Sequence, residues 1–151
     1  MSPNSYRQIV RFAMENEVEA RNFYRDAAKK LKDPGLKDIF AGLAEEEQRH
    51  FDTLQNLLKS EAAVQTLGQA IDYGLSETVD APALSTDMKP AEAFALAMKK
   101  EEEAMRLYTR LAEAARDVAE QGIFRELAAM ERSHKKKMED AFINVGYPEV
   151  W

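Results

Sequence analysis

The chain of 151 residues is long enough for one domain with a substantial apolar core, and its formal net charge of -6 argues against a nucleic-acid partner. It contains no cysteine, which excludes disulfides, thiolate catalysis and cysteine-ligated metal centres. No apolar run approaches the roughly 20 residues that span a bilayer, so we expect no membrane association. The first residues lack the apolar core of a signal peptide, and we therefore expect a cytoplasmic location.

Apolar residues recur at helical spacing and predict four helices. Ser5 is the expected N-cap of the first helix, and Asp33-Pro34-Gly35 separates it from the second, because proline ends helices and glycine permits a turn. Residues 60–90 are less regular and hint at one short amphipathic helix. Asp87 is the expected cap of the third helix, and Gln121-Gly122 is expected to end it. The predicted helices span about residues 5–31, 36–59, 91–119 and 123–145.

Two stretches of the chain repeat one another without a gap. When residues 13–50 are laid on residues 97–134, an offset of 84, identical residues fill 14 of the 38 positions. Each copy is a helical hairpin that cannot bury its apolar face alone, so the two are expected to pack together. The sequence therefore predicts one all-α domain over residues 1–151, a four-helix bundle. Its parts are the hairpins 5–59 and 91–145 and the long crossover 60–90.

The only two histidines each follow a glutamate by three residues, in Glu47-Gln48-Arg49-His50 and in Glu131-Arg132-Ser133-His134. Residues three apart lie on one helix face, so each pair presents a carboxylate and an imidazole together. This mixed ligand set suits iron, manganese or zinc. Glu17 and Glu101 lie on otherwise apolar stripes, where a charge is costly unless it is paired or bound to metal. The candidate metal ligands are Glu17, Glu47, His50, Glu101, Glu131 and His134.

These motifs make the chain similar to the ferritin-like superfamily, and within it to the rubrerythrin-type di-iron domains, over residues 5–145. Each Glu-x-x-His follows a glutamate by 30 residues in a matched repeat, and such a set is typical of ferritin-like carboxylate proteins. The resemblance implies two iron ions, with manganese or a mixed pair as the alternative, and Glu47 and Glu131 as bridging ligands. Four carboxylates also balance the charge of two divalent cations.

The resemblance further implies a non-haem di-iron oxidoreductase that reduces hydrogen peroxide, or that oxidises Fe(II) with dioxygen. Electrons would come from an external donor such as rubredoxin, since rubrerythrins usually carry a cysteine-rich rubredoxin domain and this chain has no cysteine. Ala104 stands where rubrerythrins usually carry a further glutamate, which predicts a more symmetric site. The alternatives are a non-enzymatic, iron-handling protein and a metal-free bundle with interhelical salt bridges.

Tyr24 and Tyr108 occupy equivalent positions of the repeat and are the candidate catalytic residues. One interpretation gives each a hydrogen bond to a ligand carboxylate, and the other gives each a packing role in the core. The long crossover would allow hairpins to exchange between two chains, so we expect a homodimer. Five other glutamates are predicted to be solvated, namely Glu19, Glu45, Glu46, Glu102 and Glu103.

Overall fold

The computed structural model describes residues 6–59, 83–115 and 117–145, and these residues form four helices. They are α1 (Tyr6–Lys30), α2 (Pro34–Lys59), α3 (Pro90–Ala114) and α4 (Val118–Val145). Most contacts between helices lie within the pairs α1–α2 and α3–α4, and further contacts of α2 with α4 and of α1 with α3 join the pairs. The predicted all-α bundle of two hairpins is confirmed.

Two apolar clusters fill the core, one toward each end of the bundle. The first takes residues from the start of α1 and α4 and from the end of α2 and α3, and includes Ile9, Leu57, Leu111 and Phe124. The second takes the opposite ends of the same helices and includes Leu31, Phe40, Phe94 and Met138. Helices α2 and α3 therefore run in the same direction, opposite to α1 and α4. The end of α2 and the start of α3 thus lie at opposite ends of the bundle, as expected for two hairpins joined by a long crossover.

Each hairpin turns at an aspartate that caps the following helix. Asp33 Oδ2 accepts a 2.9 Å hydrogen bond from the backbone N–H of Leu36, and Asp117 Oδ1 accepts one of 2.9 Å from the backbone N–H of Ala119. A side-chain oxygen at this position satisfies an N–H group that has no partner within the helix. The two caps occupy equivalent positions of the repeat, 84 residues apart.

The second turn was predicted in the wrong place. The structure ends α3 at Ala114 and starts α4 at Val118, whereas the expected break was Gln121-Gly122. Gly122 lies inside α4, because Asp117 supplies the cap five residues earlier and a single glycine costs a helix only about 1 kcal/mol. At the start of α3, Lys89 and not Asp87 is the N-cap, and it makes no side-chain cap hydrogen bond.

The remaining predictions for the helices fall partly outside the described residues. The cap at Ser5 and the short amphipathic helix expected beyond residue 60 both lie there. Within the described ranges, no helix has a stretch long and apolar enough to cross a bilayer.

Candidate metal centre

A polar layer lies between the two apolar clusters and crosses all four helices. It consists of one glutamate from α1, one from α3, and a glutamate with a histidine from each of α2 and α4. Each of these residues is at most 5% exposed. The structure thus brings together all six residues selected from the sequence, namely Glu17, Glu47, His50, Glu101, Glu131 and His134.

Each histidine faces the glutamate of the other Glu-x-x-His motif. His50 Nδ1 lies 2.9 Å from Glu131 Oε1, and His134 Nδ1 lies 2.6 Å from Glu47 Oε1. The two imidazole rings are stacked, with centroids 5.5 Å apart and planes inclined by 12°. This crossed pairing follows from the opposite directions of α2 and α4, and it relates the two motifs by an approximate two-fold axis.

The six side chains form two overlapping groups. The first contains Glu17, Glu47, His50 and Glu131, and the second contains Glu47, Glu101, Glu131 and His134. Within each group, the atoms that could bind a metal ion lie within 4.8 Å of one another. Glu47 and Glu131 belong to both groups, which is the position that a bridging carboxylate occupies between two metal ions. The arrangement therefore fits a dinuclear centre with one outer glutamate and one histidine on each side.

The two tyrosines hold the outer glutamates. Tyr24 donates a hydrogen bond to Glu101 Oε1, and Tyr108 donates one to Glu17 Oε1. Burial, together with the charge of the neighbouring glutamates, raises the pKa of both tyrosines, which therefore remain neutral hydrogen-bond donors. The hydrogen bond to a ligand carboxylate is thus present in both halves. Both tyrosines also belong to the buried core, and their participation in chemistry stays a prediction.

The second oxygen of each outer glutamate is buried without a hydrogen bond. Within the described part of the chain, Glu17 Oε2 and Glu101 Oε2 have no hydrogen-bond partner. A buried carboxylate oxygen in this condition is unfavourable unless a cation satisfies it. Glu17 Oε2 lies 3.5 Å from His50 Nδ1, and Glu101 Oε2 lies 3.7 Å from His134 Nδ1. Both unsatisfied oxygens therefore point into the layer where the other ligand atoms converge.

The electrostatics of the metal-free layer show how closely these charges are placed. Burial raises the pKa of Glu131 well above its usual range, and the charges of Glu101 and Glu17 raise it further. Burial acts in the same direction on Glu101, but its interactions with Glu131 and His134 outweigh it and lower its pKa. Burial would lower the pKa of His134, but Glu101 and Glu46 outweigh it and raise that pKa. Without metal, the layer therefore retains protons that an ordinary carboxylate would lose.

Glu46 was wrongly predicted to be solvated. Its side chain is only 18% exposed, and its Oε2 lies 2.5 Å from His134 Nε2. Two other glutamates of that set form ion pairs between helices, Glu19 with Lys100 and Glu102 with Lys135. The contact of Glu46 depends on the register of α2 against α4, which helical periodicity alone does not reveal. The need of a buried histidine for a partner at its second nitrogen was the signal that could have suggested it.

Ala104 is half-buried and packs against the apolar cluster that contains Tyr108 and Leu111. No carboxylate therefore extends into the layer from this position. The outer ligands are one glutamate on each side, as the sequence predicts for a more symmetric site. The symmetry does not extend to Glu46, which contacts only one of the two histidines.

Comparison with known proteins identifies the family. The chain matches the rubrerythrin family over residues 8–142. It is similar to the solved structure of a hypothetical protein from Pyrococcus furiosus, with 26% sequence identity and a TM-score of 0.72 over 96% of this chain and 92% of that one. A search of curated proteins gives no match. Because the family match extends over nearly the whole chain, and the buried layer contains two groups of residues that could hold metal ions, the chain belongs to the rubrerythrin family.

Proposed function

We propose that this protein is a non-haem di-iron oxidoreductase that reduces hydrogen peroxide with electrons from an external donor. The observation that supports the proposal is the pair of overlapping ligand groups that share Glu47 and Glu131. Membership of the rubrerythrin family supports the choice of iron among the metals that such ligands accept.

The residues present fit two iron ions. Glu17 and His50 would hold one ion, Glu101 and His134 the other, and Glu47 with Glu131 would hold both. The unsatisfied oxygens of Glu17 and Glu101 provide the test of this fit, because a cation is the partner that each lacks. When bound, two ferrous ions would supply the two electrons that, together with two protons, reduce hydrogen peroxide to two molecules of water. Electrons that restore the ferrous state would come from a separate protein such as rubredoxin.

The tyrosines and the apolar clusters prepare the layer for a cation. Tyr24 and Tyr108 fix the orientation of the outer carboxylates, so that one oxygen of each is held and the other faces the centre. The two apolar clusters cover the layer from both sides and keep bulk water from it. In this desolvated layer, fixed carboxylates interact with a cation more strongly than they would in water.

A second candidate function is oxidation of Fe(II) as a substrate, in an iron-handling role. The observation that favours it is Ala104, because the further glutamate usual in rubrerythrins is missing from the layer. In this role dioxygen would be the expected oxidant. Both candidates use the same six ligands, so the structure of the layer is common to them.

Rapid mixing distinguishes the candidates. Anaerobic protein loaded with Fe(II) is mixed with hydrogen peroxide or with dioxygen, and the near-ultraviolet absorbance of ferric iron is followed. We expect faster oxidation by peroxide in a single turnover, and sustained turnover only when rubredoxin and its reductase are added. Oxidation by dioxygen at an equal or greater rate would favour the iron-handling role. Absence of a reaction with both oxidants would contradict an enzymatic function.

A further inference from the structure

His134 is held at both of its ring nitrogens, and His50 at only one. His134 Nδ1 faces Glu47 at 2.6 Å, while its Nε2 contacts Glu46 Oε2 at 2.5 Å. His50 Nδ1 faces Glu131 in the same manner. The Nε2 atom of His50, by contrast, is buried and has no hydrogen-bond partner among the residues that the structure describes.

The difference arises because the two copies of the internal repeat carry different residues at one position. The offset of 84 that relates His50 to His134 also relates Glu46 to Met130. A methionine side chain has no oxygen with which to accept a hydrogen bond from an imidazole N–H. The first hairpin therefore supplies a carboxylate to Nε2 of His134, and the second hairpin has no carboxylate at the equivalent position for Nε2 of His50.

The contact of Glu46 has a defined chemical consequence. A carboxylate that accepts a hydrogen bond from Nε2–H selects the imidazole tautomer whose lone pair is on Nδ1. In His134 that lone pair points toward the shared glutamates, where a metal ion would be bound. The other oxygen of Glu46 lies 3.7 Å from Lys137 Nζ, so both oxygens of this carboxylate face a nitrogen donor. The hydrogen bond to Glu46 thus fixes the ring orientation of His134 and raises its basicity as a ligand. His50 has no such hydrogen bond at its Nε2 atom.

We infer that Glu46 positions His134, and that the half of the centre containing His134 binds its metal ion more tightly than the half containing His50. This inference rests on the proposed function, because it takes the layer to be a metal centre. Glu46 touches neither metal nor substrate in this scheme and acts only through His134. The protein should therefore pass through a state with one metal ion bound in a defined half.

Titration with Co(II) tests the inference, because the visible absorption of Co(II) reports its ligands directly. Wild-type protein should show two dissociation constants. His134→Ala should remove the tighter one and His50→Ala the weaker one. Glu46→Ala should weaken the tighter site by about 10- to 100-fold, and Glu46→Gln, which keeps an acceptor oxygen, by less. Glu45→Gln, at an exposed neighbouring position, is the control and should leave both constants unchanged.

A double-mutant cycle separates positioning from a general loss of negative charge. In the His134→Ala background, adding Glu46→Ala should change the affinity of the remaining site by less than about twofold. An equal weakening in both backgrounds would contradict the positioning role. Loss of the tighter constant in His50→Ala, or two equal constants in the wild type, would contradict the inferred order. Circular dichroism of each variant verifies that it is folded.

A second measurement determines the tautomer of His134 and does not depend on a binding constant. In protein loaded with Zn(II) and labelled with 15N-histidine, His134 should show a protonated Nε2 with slow exchange, and Glu46→Ala should abolish this signal. Fast exchange in the wild type would overturn the inference. Failure of the wild type to bind Co(II) at all would instead refute the proposed metal centre. Two bound ions with no effect of Glu46→Ala would refute the inference alone.

Discussion

The charge of Glu131 makes the metal-free protein less stable as the pH rises. Glu131 is buried beside Glu101 and Glu17, and its pKa in the folded state is well above the ordinary value of 4.5. The folded chain therefore keeps a proton that the unfolded chain loses. The stability associated with this proton is present at low pH and is lost as the pH rises toward the folded-state pKa. We expect Glu131→Gln, which has nearly the same shape and no charge, to remove this dependence.

The size of the effect follows from the number of protons. One proton bound in the folded state alone makes the free energy of unfolding fall by about 1.4 kcal/mol per pH unit. The full slope begins about one unit above 4.5, where an unfolded glutamate is almost completely ionised. Glu101, whose pKa is lowered, is ionised in both states in this range and adds no slope. His134, whose pKa is raised, adds a slope of the same sign above its ordinary value of 6.5.

Urea unfolding of the chelated protein, followed by circular dichroism between about pH 5.5 and 7, measures the slope. Glu131→Gln should flatten it by up to about 1.4 kcal/mol per pH unit relative to wild type, the full value applying where the pH lies below the folded-state pKa of Glu131. Glu126→Gln, at an exposed position of the same helix, is the matched control and should follow the wild-type slope. Parallel curves for wild type and Glu131→Gln would refute the reasoning, because they would show that Glu131 is ionised in the folded state.

Further predictions concern the metal ions themselves. Anaerobic titration with Fe(II) should saturate at about two ions per chain, and saturation at one would refute a dinuclear centre. Glu47→Ala or Glu131→Ala should weaken both ions, whereas His50→Ala or His134→Ala should weaken mainly one; equal effects in all four titrations would reject the bridging assignment. Tyr24→Phe should weaken metal binding by about 10- to 100-fold, and an unchanged constant would leave that tyrosine with a packing role only. Free metal at about 100 times Kd should stabilise the fold by about 2.7 kcal/mol, and equal melting temperatures with and without chelator would argue against a preformed site.

The sequence revealed the candidate ligands because each lies at a position where a polar residue interrupts an apolar pattern or a rare residue type recurs. Glu17 and Glu101 interrupt apolar stripes, and the histidines occur only in the two repeated motifs. The repeat then predicted that these faces meet, which the bundle confirms. Glu46 could not be found in this way, since its partner lies on another helix and the contact depends on how α2 and α4 are aligned.

The error at the second turn has a different origin. The expected break rested on Gly122. The repeat, however, places Asp117 opposite Asp33, which lies at the first turn. The cap supplies a hydrogen bond to a helix end that otherwise has none, while a glycine within a helix carries only a small penalty. Consistent use of the repeat would have placed the turn correctly.

The crossed arrangement of ligands couples metal binding to the packing of the two hairpins. Glu17, Glu47 and His50 come from the first hairpin, but their group is complete only with Glu131 from the second. Contacts within each hairpin are far more extensive than contacts between hairpins, and the polar layer joins the two halves together with the two apolar clusters. Without metal, that link consists of carboxylates that must retain protons to lie so close together. With metal, the same carboxylates are neutralised by cations that draw ligands from both hairpins. The carboxylates that repel one another in the metal-free protein therefore lie where a bound ion would hold the two hairpins together.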